Sequence, residues 1–169
     1  MPINLELRTC RLGVGTKKVK NPFDIFGGSE IEVPDDDGLS AEDKHAVKAL
    51  LDMIAGPTPP TEYLDWGKEF DDGGRVDVWA VGLDDDSVVN LISLVIWRRS
   101  PFVAELAFQL SEKGNLAIVT EVDGIGPWVT SAEQAAAVKE RWTTVELVAT
   151  SAELAKKISR ARDELDMPA

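Results

Sequence analysis

Among 169 residues there is one cysteine, Cys10, one histidine, His45, and one tyrosine, Tyr63. A single cysteine excludes an internal disulfide, and so few thiol and imidazole groups exclude a Cys/His zinc site. Ser–His or Cys–His nucleophilic chemistry would have to use His45. No Gly-x-Ser-x-Gly elbow and no His-Glu-x-x-His pair occurs. No apolar run reaches the ~18 residues of a membrane span. Base is scarce too: 18 Lys+Arg stand against 30 Asp+Glu, a net charge of −12. An acidic chain repels nucleic-acid phosphates and anionic bilayers, so neither is an expected partner. The opening Met-Pro-Ile-Asn-Leu-Glu-Leu-Arg lacks the basic region and apolar stretch of a secretory leader. A solitary thiol suits a reducing compartment, and the expected location is cytoplasmic.

What is present is globular in composition, 44% hydrophobic and 28% charged, and the length suggests one domain over residues 1–169. The charge is unevenly spread. Residues 1–22 carry five basic side chains against Glu6, a net of +4. Residues 23–90 hold 18 acidic and four basic residues, a net of −14, and residues 91–169 are near balance at −2. A concentrated acidic surface keeps a chain soluble, and it can also steer a basic protein partner.

Hydrophobic periodicity predicts an α+β fold. Ile3, Leu5 and Leu7 alternate with Asn4, Glu6 and Arg8, the pattern of a half-buried strand. Residues 11–39 show no sustained period and read as a long irregular connection, with a short strand near 31–33. Ser40 opens a helix over 41–55, whose Val47, Leu50, Leu51 and Ile54 share one face and which Gly56 can close. Pro57, Pro59 and Pro60 stop it. Residues 57–74 read as a second irregular connection. Four β-rich runs follow at 75–83, 88–97, 102–110 and 116–123. Their short turns predict an antiparallel meander over 75–123 within a five- or six-stranded sheet. Two capping boxes, at Ser131–Gln134 and Thr150–Glu153, open helices over 132–142 and 151–165. A short strand over 143–149 lies between them. Strand 116–123, helix 132–142 and strand 143–149 could make one right-handed crossover unit.

Candidate chemistry is sparse. On the 41–55 helix His45 points away from the apolar stripe, where nothing desolvates or orients it as a base. If 111–115 is a hairpin turn, Glu105 and Glu121 face each other on one side of the sheet. Such opposed carboxylates could form an acid–base dyad or a divalent-cation site, or simply a solvated pair neutralised by Arg98, Arg99 or a helix residue. The aspartates at 35–37, 71–72 and 84–86 fit no EF-hand, because placing Gly38 or Gly73 sixth puts Val33 or Lys68 first. Gly13–Lys18 lacks the Gly-Lys-Ser/Thr of a phosphate loop. Cys10, with no histidine beside it, reads as incidental rather than nucleophilic. Of five tryptophans, Trp79 and Trp97 fall in strands and read as core. Trp66 and Trp128 fall in loops beside Asp65 and Pro127, where they either pack the loops onto the domain or stand exposed as anchors for a partner.

These residues favour a non-enzymatic, cytoplasmic protein-binding module without cofactor or metal. Its acidic middle, about residues 35–86, would capture a basic protein through Asp71, Asp72, Asp84, Asp85 and Asp86, with Trp66 and Trp128 as apolar anchors. A toxin-neutralising immunity protein is one concrete form of that task. One alternative is a small-molecule or carboxylate-dependent enzyme using Glu105 and Glu121. Another is a structural subunit, since 88–97 is apolar on both faces and its second face could bury against another copy in a homodimer.

Overall fold

A computed structural model describes residues 1–11, 16–21, 23–34, 38–55 and 65–166. Strands β1 (Ile3–Thr9), β2 (Thr16–Lys20) and β3 (Glu30–Pro34) precede helix α1 (Ala41–Ala55). Strands β4 (Asp65–Glu69), β5 (Arg75–Trp79) and β6 (Leu91–Arg98) lead to α2 (Pro101–Gly114) and β7 (Leu116–Thr120). The chain continues through β8 (Trp128–Val129), α3 (Ala132–Val138), β9 (Glu146–Leu147) and α4 (Ser151–Leu165).

The result is α+β. A seven-stranded sheet has the order β4-β5-β6-β1-β7-β8-β9, and β2 and β3 form a separate hairpin. The pairings in the large sheet are antiparallel except β8 with β9. β1 behaves as its alternation dictates: Ile3, Leu5 and Leu7 are buried and lie opposite Ile96, Leu94 and Ile92 of β6. Helices α1, α2 and α4 cover this inner face with Val47, Leu51, Leu106, Leu110, Leu154 and Ile158. A second, smaller cluster lies on the other face, where α3 brings Val138 onto Cys10, Ala117 and Val129. No helix among the described residues covers the remainder of that outer face.

Several expectations need correction. The run 102–110 is helix α2, not the third strand of a meander. Ser100 and Pro101 explain it: Ser100 Oγ accepts from Val103 N at 3.2 Å as N-cap, and the proline ring suits the first helical position. Val103, Ala104, Leu106, Ala107, Leu110 and Ser111 then fill one helical stripe. Residues 111–115 are the end of that helix, with Asn115 left-handed at φ 52° as its cap, rather than a hairpin turn. The true meander is β4-β5-β6, so it begins ten residues earlier, at 65.

Among the described residues the sheet therefore has seven strands instead of five or six. The connection 11–39 contains the β2–β3 hairpin, and 57–74 contains β4. The proline run 57–60, Gly56, Tyr63, Gly13 and Asp35–Asp37 lie outside the described residues. Helix 132–142 ends at Val138, and the strand in 143–149 is only Glu146–Leu147. It pairs in parallel with β8, so the crossover through α3 joins β8 to β9, not the strand 116–123.

Candidate functional site

The β2–β3 hairpin stands apart from the main sheet and presents the most unusual surface of the described chain. Its stem pairs Lys18 with Glu32 and Lys20 with Glu30, so the two strands nearly cancel in charge. Its tip inverts the ordinary rule for loops. Asn21 Oδ1 accepts from Phe23 N at 3.0 Å, and Asp24 accepts from Phe26 N at 3.1 Å and Ser29 N at 3.0 Å. The polar side chains thus turn back to satisfy the loop backbone. Hydrogen bonds from Ser29, by hydroxyl and by backbone, and from Phe26 hold the Asp24 carboxyl below its usual range. Gly27 and Gly28, at φ +69° and +115°, supply the backbone curvature that other residues resist. What remains to face solvent is apolar: Phe23, Ile25 and Phe26 are 88%, 87% and 92% exposed.

Below the tip, a cleft of about 680 Å³ separates the hairpin from the start of α1 and the 82–88 loop, with Lys18, Lys20, Glu30, Asp86 and Val88 on its walls. The loop is organised by one ammonium group. Lys44 Nζ donates to the carbonyls of Gly82 (3.0 Å), Asp85 (2.9 Å) and Ser87. Val81 and Val88 bracket the three aspartates and are both exposed. An apolar tip and an acidic, partly apolar loop therefore share one end of the molecule.

The expected acidic residues divide differently from the sequence reading. Asp84 lies 3.4 Å from Lys48, and Asp85 Oδ1 accepts from Ser87 N at 2.7 Å. Asp86 is exposed and without a hydrogen bond among the described residues. Asp71 and Asp72 sit in the β4–β5 turn, at the far end of β5 from the 84–86 loop. Five strand residues separate the two groups by about 17 Å, so they form two patches rather than one.

Asp72 is structural. Its carboxylate accepts from Gly74 N at 3.0 Å and from Phe102 N at 3.1 Å, tying the turn to the first turn of α2. Desolvation pushes its pKa up, but the hydrogen bonds from Phe102, Gly74 and Ser100 outweigh it and hold the group below the usual range. A carboxyl lowered on folding stabilises above its unfolded pKa of about 3.9, and that contribution is lost as pH falls through the folded value. Asp72→Asn should therefore be less stable than the wild type at neutral pH and should converge on it in acid. Denaturation series from pH 7 to pH 3 measure this; a constant difference across the series would refute it.

Other candidates fare as follows. Trp66 and Trp128 are not surface anchors. They are 5% and 1% exposed, because β4 and β8 turn them to the inner face opposite Val78 and Ile118. Neither indole N–H finds a partner among the described residues. Trp79 and Trp97, read as core, are instead 49% and 48% exposed on the outer face. Glu105 and Glu121 do not meet. Glu105 is on α2, where Ser151 and then Gln109 hydrogen-bond it and lower its pKa. Glu121 follows β7 and accepts from Asn4 N and Nδ2, both at 3.2 Å. The cross-strand register that paired them vanishes with the strand.

His45 is exposed on the back of α1. Cys10 is buried, and its thiol is pushed up to about 12 by desolvation, so it is not a thiolate at neutral pH. Among the described residues no group of three or more His, Cys, Asp or Glu could hold a metal ion, and no helix is long and apolar enough to cross a membrane.

Sequence reasoning missed Phe23, Ile25 and Phe26. The signal was there: Thr16–Lys20 and Glu30–Pro34 are short β-compatible runs around Asn-Pro and Gly-Gly turn residues, and the aromatics sit where polar residues belong. The chain matches no known family model, and neither the curated proteins nor the solved structures contain a significant match to it.

Proposed function

We propose that the protein is a non-enzymatic binding module that captures a basic protein, using the β2–β3 tip as its apolar anchor and the 84–86 loop beside it as its steering charge. A toxin-neutralising immunity protein is the concrete version of this reading. The observation that carries it is the triplet Phe23, Ile25 and Phe26, each almost wholly exposed at the end of a hydrogen-bonded hairpin. Aromatic side chains held this way cost little further entropy on binding and are the usual anchors of an interface. Charge chooses the partner. The net −12 and the near-neutral stem disfavour an anionic bilayer and favour a basic protein with an apolar recess. The separation of Glu105 from Glu121 removes the main support for the enzyme alternative.

The test compares capture from the source lysate by the immobilised wild type, by the triple variant Phe23→Ser/Ile25→Ser/Phe26→Ser, and by Asp86→Lys. A basic protein held by the wild type should lose about 100-fold or more in affinity to the triple variant, the scale of truncated interface anchors. Asp86→Lys should slow association and flatten its salt dependence. Equal capture by the triple variant overturns the reading, as does tip-dependent cosedimentation with anionic vesicles.

A further inference from the structure

A second cleft, sharing no residue with the hairpin tip or the 84–86 loop, lies between α4, the β8–β9 edge and the turn before β8. Its volume is about 120 Å³, and its walls are Gly124, Ile125, Trp128, Glu146, Lys157 and Arg160. That is well below the ~300 Å³ at which pockets for drug-sized ligands begin, so it suits one small group.

The local sequence builds each wall. Gly124 and Gly126 take φ +76° and +77°, a curvature that other residues resist. A Cβ on Gly124 would meet nothing within 4 Å, so the turn leaves its backbone accessible. Lys157 and Arg160 stand three apart on α4 and share one side of the helix. Trp128 and Glu146 are partners in the parallel β8–β9 pairing and share one face of the sheet.

Two groups on these walls lack partners. Trp128 is 1% exposed, yet its indole N–H donates to nothing among the described residues. A buried donor without an acceptor is costly and calls for an explanation. The indole's Cε2, the carbon bonded to Nε1, lies 3.7 Å from where a Cβ on Gly126 would sit, so this edge of the ring faces the glycine turn. Arg160 makes no ion pair or hydrogen bond among the described residues. Lys157, by contrast, is paired with Glu146. Two cations and one carboxylate leave the walls at +1, on a chain of net charge −12. Asp123, the chain neighbour of Gly124, is exposed and is not one of the wall residues.

We propose that this cleft binds a phosphate group, free or carried as a monoester, with Arg160 and Lys157 as counter-charges and the Trp128 N–H as a neutral donor. A guanidinium presents two parallel N–H groups to an oxyanion, and an ammonium adds a point charge. A tetrahedral oxyanion has acceptors pointing in several directions, toward α4, the indole and the bare glycine turn together. A carboxylate has two oxygens in one plane and a single charge, whereas phosphate carries about −1.5 to −2 near pH 7 and suits two cations. Glu146 opposes the anion and keeps the site weak.

The probe is inorganic phosphate, titrated into the full chain at pH 7 and constant ionic strength. The readout is the Trp128 indole resonance in proton–nitrogen correlation spectra. It should shift and saturate with a Kd of about 1 mM. Arg160→Gln should weaken binding tenfold or more. Glu146→Gln, which removes the opposing charge and frees Lys157, should tighten it severalfold. Melting curves check that both surface variants keep the fold. Phenyl phosphate distinguishes the sources: tighter binding than inorganic phosphate assigns a monoester, and equal or weaker binding assigns the free ion. A resonance unmoved by about 20 mM phosphate overturns the proposal. So does a shift that chloride reproduces, one indifferent to Arg160→Gln, or binding that Glu146→Gln weakens.

Discussion

Gly74→Ala should lower stability by about 3 kcal/mol and the melting midpoint by roughly 10 °C, given 2–4 °C per kcal/mol at this chain length. Gly74 is the last residue of the β4–β5 turn, and its carbonyl accepts from Phe70 N at 2.8 Å. A methyl group there would overlap Ser100 Oγ and lie 2.7 Å from Ser100 Cβ and 2.8 Å from Val103 Cγ2. Ser100 cannot step aside freely, because its hydroxyl caps α2. The variant therefore either loses the cap or shifts the whole first turn of the helix. Gly73→Ala is the control. At φ +85° it meets nothing within 4 Å, so only left-handed backbone strain of about 1 kcal/mol opposes it. Ser100→Gly in the Gly74→Ala background should recover much of the loss, since glycine is a tolerable N-cap and frees the space. Thermal melts of five proteins decide it: the wild type, the three single variants and the Gly74→Ala/Ser100→Gly double variant. Equal losses at the two glycines, or strict additivity with Ser100→Gly, would show that the packing is not the cause.

The same junction explains what the sequence made legible and what it hid. Wherever one face of an element was buried and the other wet, the pattern spoke clearly. The alternation of β1, the apolar stripe of α1 with His45 on its back, and the capped start of α4 are found where the periodicity puts them. α2 was hidden because it is apolar on much of its surface. Phe102, Val103, Ala104, Leu106 and Ala107 satisfy a strand about as well as a helix, and only Ser100-Pro101 breaks the tie. Local pattern also could not say which tryptophans lie inside. Trp97 sits on the central-looking apolar strand yet faces the outer side, while Trp66 and Trp128, in sequence neighbourhoods rich in Asp, Gly and Pro, are carried inward by strand pairings with β5 and β7. Those pairings join neighbouring segments, but β8 is two residues long and β4 carries Gly67 and Lys68 beside its tryptophan, so neither shows the alternation that marks a buried face. The acidic residues were correctly counted but not placed, because the two groups lie at opposite ends of β5.

Gln134→Leu should cost about 2 kcal/mol although it keeps the side chain's size. Gln134 is buried and holds three elements together. Its Oε1 accepts from Thr130 N at 2.7 Å and Thr130 Oγ1 at 3.0 Å, and its Nε2 donates to Ser111 O at 2.8 Å. The sequence pattern at Ser131–Gln134 promised a capping box, and half of it forms, with Ser131 Oγ accepting from Gln134 N at 3.1 Å. The glutamine itself reaches one residue further back and across to α2. Leucine would leave the Thr130 N–H without a partner, at a cost of ~1–3 kcal/mol, and would take from the Ser111 carbonyl one of its two donors, the Asn115 N–H remaining. Gln134→Glu separates shape from hydrogen bonding. When protonated, its carboxyl can accept from Thr130 and donate to Ser111 O, as the amide does. When ionised, it sets a buried charge against that carbonyl. Burial should raise its folded pKa above the unfolded value of about 4.3, so its stability relative to wild type is fullest below that value. It declines as pH rises from the unfolded toward the folded pKa. Urea denaturation of wild type and both variants at pH 4 and pH 7 reads this directly. A leucine variant within ~1 kcal/mol of wild type would sink the assignment, as would a glutamate variant whose deficit is the same at both pH values.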